Sequence, residues 1–137
     1  MPRARFFIDT AYVQALLNPR DSYHMVAQQL FTYAQTAETW TTEAILTEIG
    51  NALSSINRLA ATTFIQACYK AHNIHVVQVD TSMFKRAVAL YEQRPDKTWG
   101  LTDCISFVVM RDHQLTEALT SDRHFEQAGF RVLMSNN

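Results

Sequence analysis

Short apolar runs that stop abruptly at polar or acidic residues alternate along this chain with segments of helical period, and that alternation constrains the fold more than any other feature. Phe6-Phe7-Ile8 stops at Asp9-Thr10, and residues 11–17 then read as a short helix ended by Asn18-Pro19. Residues 74–79 are β-branched and bounded by Asn73 and Asp80-Thr81, which predicts a strand. Residues 117–120 predict a short strand ending in Ser121-Asp122, and residues 131–134 a last one after Gly129. Trp40-Thr41-Thr42 reads as a weak strand or a capping segment. Between these lie helical patterns over 23–35, 43–56 and 59–71, then one carrying Phe84, Ala87, Val88 and Tyr91 that ends near Arg94-Pro95. The clearest stripe is Ile45, Ile49, Ala52 and Ile56. Residues 102–111 predict a buried helix, with Thr102 and Asp103 as cap and first-turn residues. Strands alternating with helices predict βαβ units: an α/β fold with a mostly parallel central sheet of four or five strands and helices on both faces.

The 137 residues fit one domain over 1–137, and neither repeat nor linker divides them. Only three glycines and three prolines are present, which excludes Gly/Pro low-complexity chains and agrees with long regular elements. A net charge of −1 provides no bulk field toward nucleic acid or membrane, so any polyanion contact must be local. Cys68 and Cys104 are far apart, form no CxxC and sit in apolar helical patterns, which predicts buried free thiols in a reducing compartment. No stretch approaches the ~18 apolar residues of a membrane helix. The expectation is a soluble, cytoplasmic protein with no membrane partner.

In open α/β sheets the ligand crevice lies beyond the carboxyl ends of the strands, where Asp9 and Asp122 fall in this chain. Asp103, at the mouth of a helix, is placed to reach the same crevice. Glu48 lies at the edge of the apolar stripe, whereas Glu43 falls on the opposite, solvated face of that helix. Each has a plainer reading: Asp9 as a helix cap, Asp103 as a first-turn residue, Asp122 as a turn residue, Glu48 as a rim residue. Against these stands the absence of any Lys or Arg three or four residues from Glu48, and the repulsion that four gathered carboxylates feel without a cation. A hard divalent ion, Mg²⁺ or Mn²⁺, suits oxygen ligands delivered from scattered segments.

Four pieces, Phe7-Ile8-Asp9-Thr10, Thr47-Glu48-Ile49-Gly50-Asn51, Leu101-Thr102-Asp103-Cys104 and Leu119-Thr120-Ser121-Asp122-Arg123-His124-Phe125, together resemble a PIN domain across nearly the whole chain. That resemblance implies a three-layer, Rossmann-like PIN fold and a metal-dependent nuclease similar to the VapC ribonuclease toxins, which a cognate antitoxin restrains. It implies Asp9 and Asp103 as direct metal ligands, Glu48 and Asp122 as the rest of an acidic quartet, and Thr10 with Thr120 or Ser121 as supporting hydroxyls. Asp96 is a fifth acidic residue that some relatives share. The chain departs from many relatives in the longer polar lead to its second helix and in having Gly100 where a small hydroxyl residue is common.

The implied activity is hydrolysis of RNA phosphodiesters with one or two Mg²⁺ or Mn²⁺ ions, leaving 5′-phosphate and 3′-hydroxyl ends. Arg20, Lys97 and Arg123 are the cations adjacent to the predicted site loops. His72 and His75, spaced HxxH across a strand start, read as facing apart; His124, two after Asp122, reads as a surface-loop residue with substrate contact as the alternative, and Trp99 and Tyr12 as core or rim residues with base stacking as the alternative. A strand-end Asp-Thr also fits aspartyl-phosphate phosphatases, but these need a second Asp where Ala11 stands. The alternative function is a catalytically silent PIN-like RNA-binding or scaffold protein. The expected partners are RNA, an antitoxin protein, and a second copy docked through exposed apolar residues of the second and fourth helices.

Overall fold

The computed structural model describes residues 3–135. Five strands and seven helices follow one another in the order β1 (Arg5–Ile8), α1 (Thr10–Leu17), α2 (His24–Thr36), β2 (Glu38–Thr42), α3 (Glu43–Ala52), α4 (Arg58–Lys70), β3 (Ile74–Val77), α5 (Thr81–Gln93), α6 (Leu101–Asp112), β4 (Glu117–Leu119), α7 (Arg123–Gln127) and β5 (Arg131–Val132). The sheet order is β3-β2-β1-β4-β5 and every pairing is parallel. Connections from β1 through β2 to β3 step one way across the sheet, and those from β3 to β4 and β5 step back the other way. Right-handed crossovers therefore place α1–α4 on one face and α5–α7 on the other. The reversal falls between β1 and β4, the point at which open α/β sheets place a ligand crevice.

Local chemistry sets the element boundaries. The Thr42 side chain accepts from the Ile45 amide to start α3, Asn57 does the same for α4 from Ala60, and Asp80 for α5 from Met83. Helix α3 stops at Ala52, a turn short of the expected Ile56, so Ile56 leaves the stripe and is exposed. Strand β2 begins at Glu38, two residues before the expected segment, because Thr39 faces the core fully buried and pairs with Ile74. Helix α6 is capped by Gly100, not Thr102; Asp103 is its third residue.

The core runs through Phe7, Val13, Ile45, Ile49, Phe107, Val109, Met110 and Leu119, all fully buried. Phe107 meets Phe125 edge-on at 5.0 Å between ring centroids and Trp99 at 5.0 Å. These contacts anchor α7 and the loop before α6, the two segments that wall the crevice. Both cysteines are buried and free, as expected. Among the described residues no helix is long and apolar enough to cross a membrane.

Candidate active site

Register builds the centre of the site. Ile8 of β1 lies opposite Leu119 of β4, so the next residues outward, Asp9 and Thr120, emerge side by side at the carboxyl ends of two central strands. The Asp9 amide donates to the Leu119 carbonyl at 3.3 Å, and the Thr120 hydroxyl donates to Asp9 Oδ2 at 2.6 Å. The same hydroxyl oxygen accepts the Asp122 amide at 3.0 Å. A hydroxyl can donate once and accept as well, so one buried threonine ties both aspartate segments together. Asp9 stands at the N-cap position of α1, yet its carboxylate makes no side-chain capping bond there.

Glu48 enters from α3. The Thr10 hydroxyl donates to its Oε1 at 2.6 Å, linking it to the residue that follows Asp9. Glu43, on the far side of the same helix, is exposed and accepts from the Tyr69 hydroxyl. The sequence's distinction between the two glutamates therefore holds in space.

Asp103 and Asp122 meet around a histidine. Asp103 Oδ2 accepts the Gly100 amide at 3.1 Å and a bond from His124 Nδ1 at 2.9 Å. Asp122 caps the short helix α7, accepting the His124 amide on Oδ1 at 2.9 Å, and that oxygen lies 3.4 Å from His124 Nδ1. His124 Nε2 reaches the Thr98 hydroxyl at 3.2 Å. Asp103, Asp122 and His124 each offer a ligand atom within 4.8 Å of the others, while Asp9 and Glu48 stand outside this tight group. The sequence predicts His124 as a surface-loop residue, with substrate contact as the alternative. The signal that it is inside was its neighbour: Phe125 is fully buried, which turns α7 inward and carries the imidazole with it.

The electrostatics report a shortage of positive charge. Burial, at 6% exposure, pushes the Asp9 carboxyl up to about 7; the Thr120 bond opposes the rise, and the Asp103 and Asp122 carboxylates add to it. Burial also raises Asp103, with Asp122 adding to the rise and the Gly100 amide and His124 opposing it. Among the described residues no Lys or Arg forms an ion pair with Asp9, Glu48, Asp103 or Asp122. Hard oxygen donors from four segments with unmet negative charge suit a divalent cation bound partly through water.

Other expected residues divide. The Thr10 and Thr120 hydroxyls donate to Glu48 and Asp9, and Ser121 is half-buried. Asp96 is exposed and held by Arg94 in two parallel bonds of 3.0 Å. Tyr12 and Trp99 are core residues, and Trp99 Nε1 donates to Gln127. His75 pairs with Glu38 and stacks on Trp40, so the HxxH spacing joins no ligand group. Lys97 is half-buried at the crevice loop, and Arg20 and Arg123 are exposed.

No protein-family model and no curated protein matches the sequence. Solved structures do match in fold. The structure of VapC20 from Mycobacterium tuberculosis, described as a Sarcin-Ricin loop cleaving toxin, superposes with a TM-score of 0.80 at 24% identity over 91% of this chain and 95% of that one. VapBC2 from Rickettsia felis, bound to a DNA fragment from their promoter, gives 0.65 at 10% identity over 93% and 96%. FitAcB from Neisseria gonorrhoeae gives 0.58 at 14% identity over 93% and 95%.

Proposed function

The chain has a PIN-type fold, and on that premise we propose that it is an endoribonuclease that hydrolyses RNA phosphodiester bonds with Mg²⁺ or Mn²⁺ and acts as the toxin of a toxin–antitoxin pair. The observation that carries this reading is the convergence of Asp9, Asp103 and Asp122 at the point where the strand order reverses, with Glu48 joined to them through Thr10. A fold alone hosts many functions; an uncompensated acidic crevice narrows the choice to cation-assisted chemistry. The fold shared with VapC20, VapBC2 and FitAcB supports both the RNA substrate and the antitoxin partner.

In this reading Asp9, Asp103, Glu48 and Asp122 hold the ion directly or through water. When bound, it supplies Lewis acidity that polarises a phosphate oxygen and makes water a better nucleophile. The protein's own part is positioning. Thr120 fixes the Asp9 carboxylate and the Asp122 backbone; Thr10 aims Glu48; the Gly100 amide orients Asp103. Asp9 would have to release its proton to hold the ion, so affinity would rise with pH up to about 7 and level off above it. Lys97 and Arg123 stand beside the crevice to meet the RNA backbone, with Arg20 further out on the α1–α2 loop. Helices α2 and α4 carry exposed apolar side chains, Met25, Phe31 and Tyr33 on the first and Leu59 and Tyr69 on the second, and we assign these helices to a homodimer, which light scattering on the purified chain tests.

Incubation of total RNA with the purified protein in Mn²⁺ or Mg²⁺, and in EDTA, tests the proposal. Metal-dependent fragments with 5′-phosphate and 3′-hydroxyl ends support it. Cyclic 2′,3′-phosphate ends contradict it, and bound Mn²⁺ without cleavage of any RNA favours a silent RNA-binding or scaffold protein.

A further inference from the structure

We propose that His124 ligates, through Nδ1, the divalent ion held by Asp103 and Asp122, so that the site offers nitrogen beside oxygen and prefers Mn²⁺ over Mg²⁺ more than an all-carboxylate site would. The inference rests on the metal-centre reading above. Its first support is spacing. Two ligands at right angles around a small octahedral ion, each about 2.1 Å away, lie roughly 3 Å apart. His124 Nδ1 is 2.9 Å from Asp103 Oδ2 and 3.4 Å from Asp122 Oδ1.

The second support is the far side of the ring. A metal-bound imidazole ordinarily donates its other N–H to an oxygen, which fixes the tautomer and the ring plane. Here the Thr98 hydroxyl sits 3.2 Å from Nε2, so with an ion bound Nε2–H has an oxygen to donate to, and Nδ1 is free to give up the proton it shares with Asp103 in the metal-free site. Immobility is the third. The His124 amide is bonded to Asp122, Phe125 next to it is fully buried against Phe107, and Trp99 next to Thr98 is buried against the same ring. Both anchors of the imidazole are thus fastened to the core, as a ligand requires and a mobile surface histidine would not show. Borderline imidazole nitrogen favours Mn²⁺, whereas Mg²⁺ prefers oxygen and retains its waters.

Pulsed EPR on the intact protein loaded with Mn²⁺ alone tests this. The wild type is expected to show coupling to a directly bound ¹⁴N that becomes ¹⁵N when histidine is labelled, and that vanishes in His124→Gln but not in His113→Gln. By titration, His124→Gln should lose Mn²⁺ affinity about tenfold or more and Mg²⁺ affinity by less. Bound Mn²⁺ with oxygen coordination alone in the wild type overturns the inference and leaves the metal centre standing; this spectrum decides even where the variant fails to fold. Mn²⁺ that remains fully hydrated in solution overturns the metal centre, and the ligand assignment with it.

Discussion

Thr120 donates a 2.6 Å hydrogen bond to Asp9, a residue 111 positions earlier in the chain, because both follow directly on paired positions of adjacent parallel strands. The hydroxyl is fully buried and also accepts the Asp122 amide. Thr120→Val keeps the shape and removes both bonds. Leaving buried groups unpaired costs about 1–3 kcal/mol each, so thermal unfolding should shift down by several degrees and RNA cleavage should fall about tenfold or more. Thr120→Ser restores the hydroxyl and should recover most of both; equal losses in Val and Ser variants would mean that the methyl group, not the hydroxyl, matters.

Without metal, the Asp9 carboxyl is pushed up from 3.8 to about 7 by burial, with Asp103 and Asp122 adding to the rise. The native state therefore binds this proton more tightly than the unfolded chain. The corresponding stability is fully present below pH 4, declines as pH rises, and is lost above about 7. A rise of this size corresponds to roughly 4 kcal/mol as an upper bound. In EDTA, the melting temperature should fall between pH 5 and pH 8, and Asp9→Asn should flatten that fall and melt above the wild type at pH 8. Parallel pH profiles for the two proteins would refute the assignment.

The same repulsion gives a cation its stabilising effect. At pH 8, Mn²⁺ at one hundred times its dissociation constant should stabilise the wild type by about 2.7 kcal/mol. Asp103→Asn should show little of that gain at the same concentration, read by differential scanning fluorimetry. An equal upshift in both would place the ion elsewhere.

Asp96 provides the internal control. Its carboxylate is exposed and committed to Arg94. Asp96→Asn should therefore leave the cleavage rate within about twofold of wild type, since surface substitutions away from buried features change little. A loss comparable to that of a quartet variant would show that Asp96 shares the site.

Most of this architecture was legible because local and long-range signals agreed. The runs ending at Asp9 and Asp122 fixed two strand ends, and the Ile45-Ile49 stripe set which glutamate of α3 faced inward. What escaped depended on contacts remote in sequence. Helix α7 has only five residues, too few for periodicity to show, and its inward turn comes from Phe125 packing on Phe107 and Phe7. His124 therefore reads first as a surface-loop residue. Trp99, flanked by polar loop residues, gives no local sign that it is buried against Phe107. The Arg94–Asp96 pair likewise depends on the turn's conformation, to which composition is blind.

The most direct test of the central claim is the rate of RNA cleavage in Mn²⁺ by the wild type and by Asp9→Asn, Glu48→Gln, Asp103→Asn and Asp122→Asn, with the melting temperature of each measured in EDTA alongside. The account predicts that each substitution lowers the rate about a hundredfold or more while the Asp9 and Asp103 variants melt no lower than wild type. Wild-type rates in the Asp9 or Asp103 variant, or undiminished cleavage by the wild type in EDTA, would contradict it.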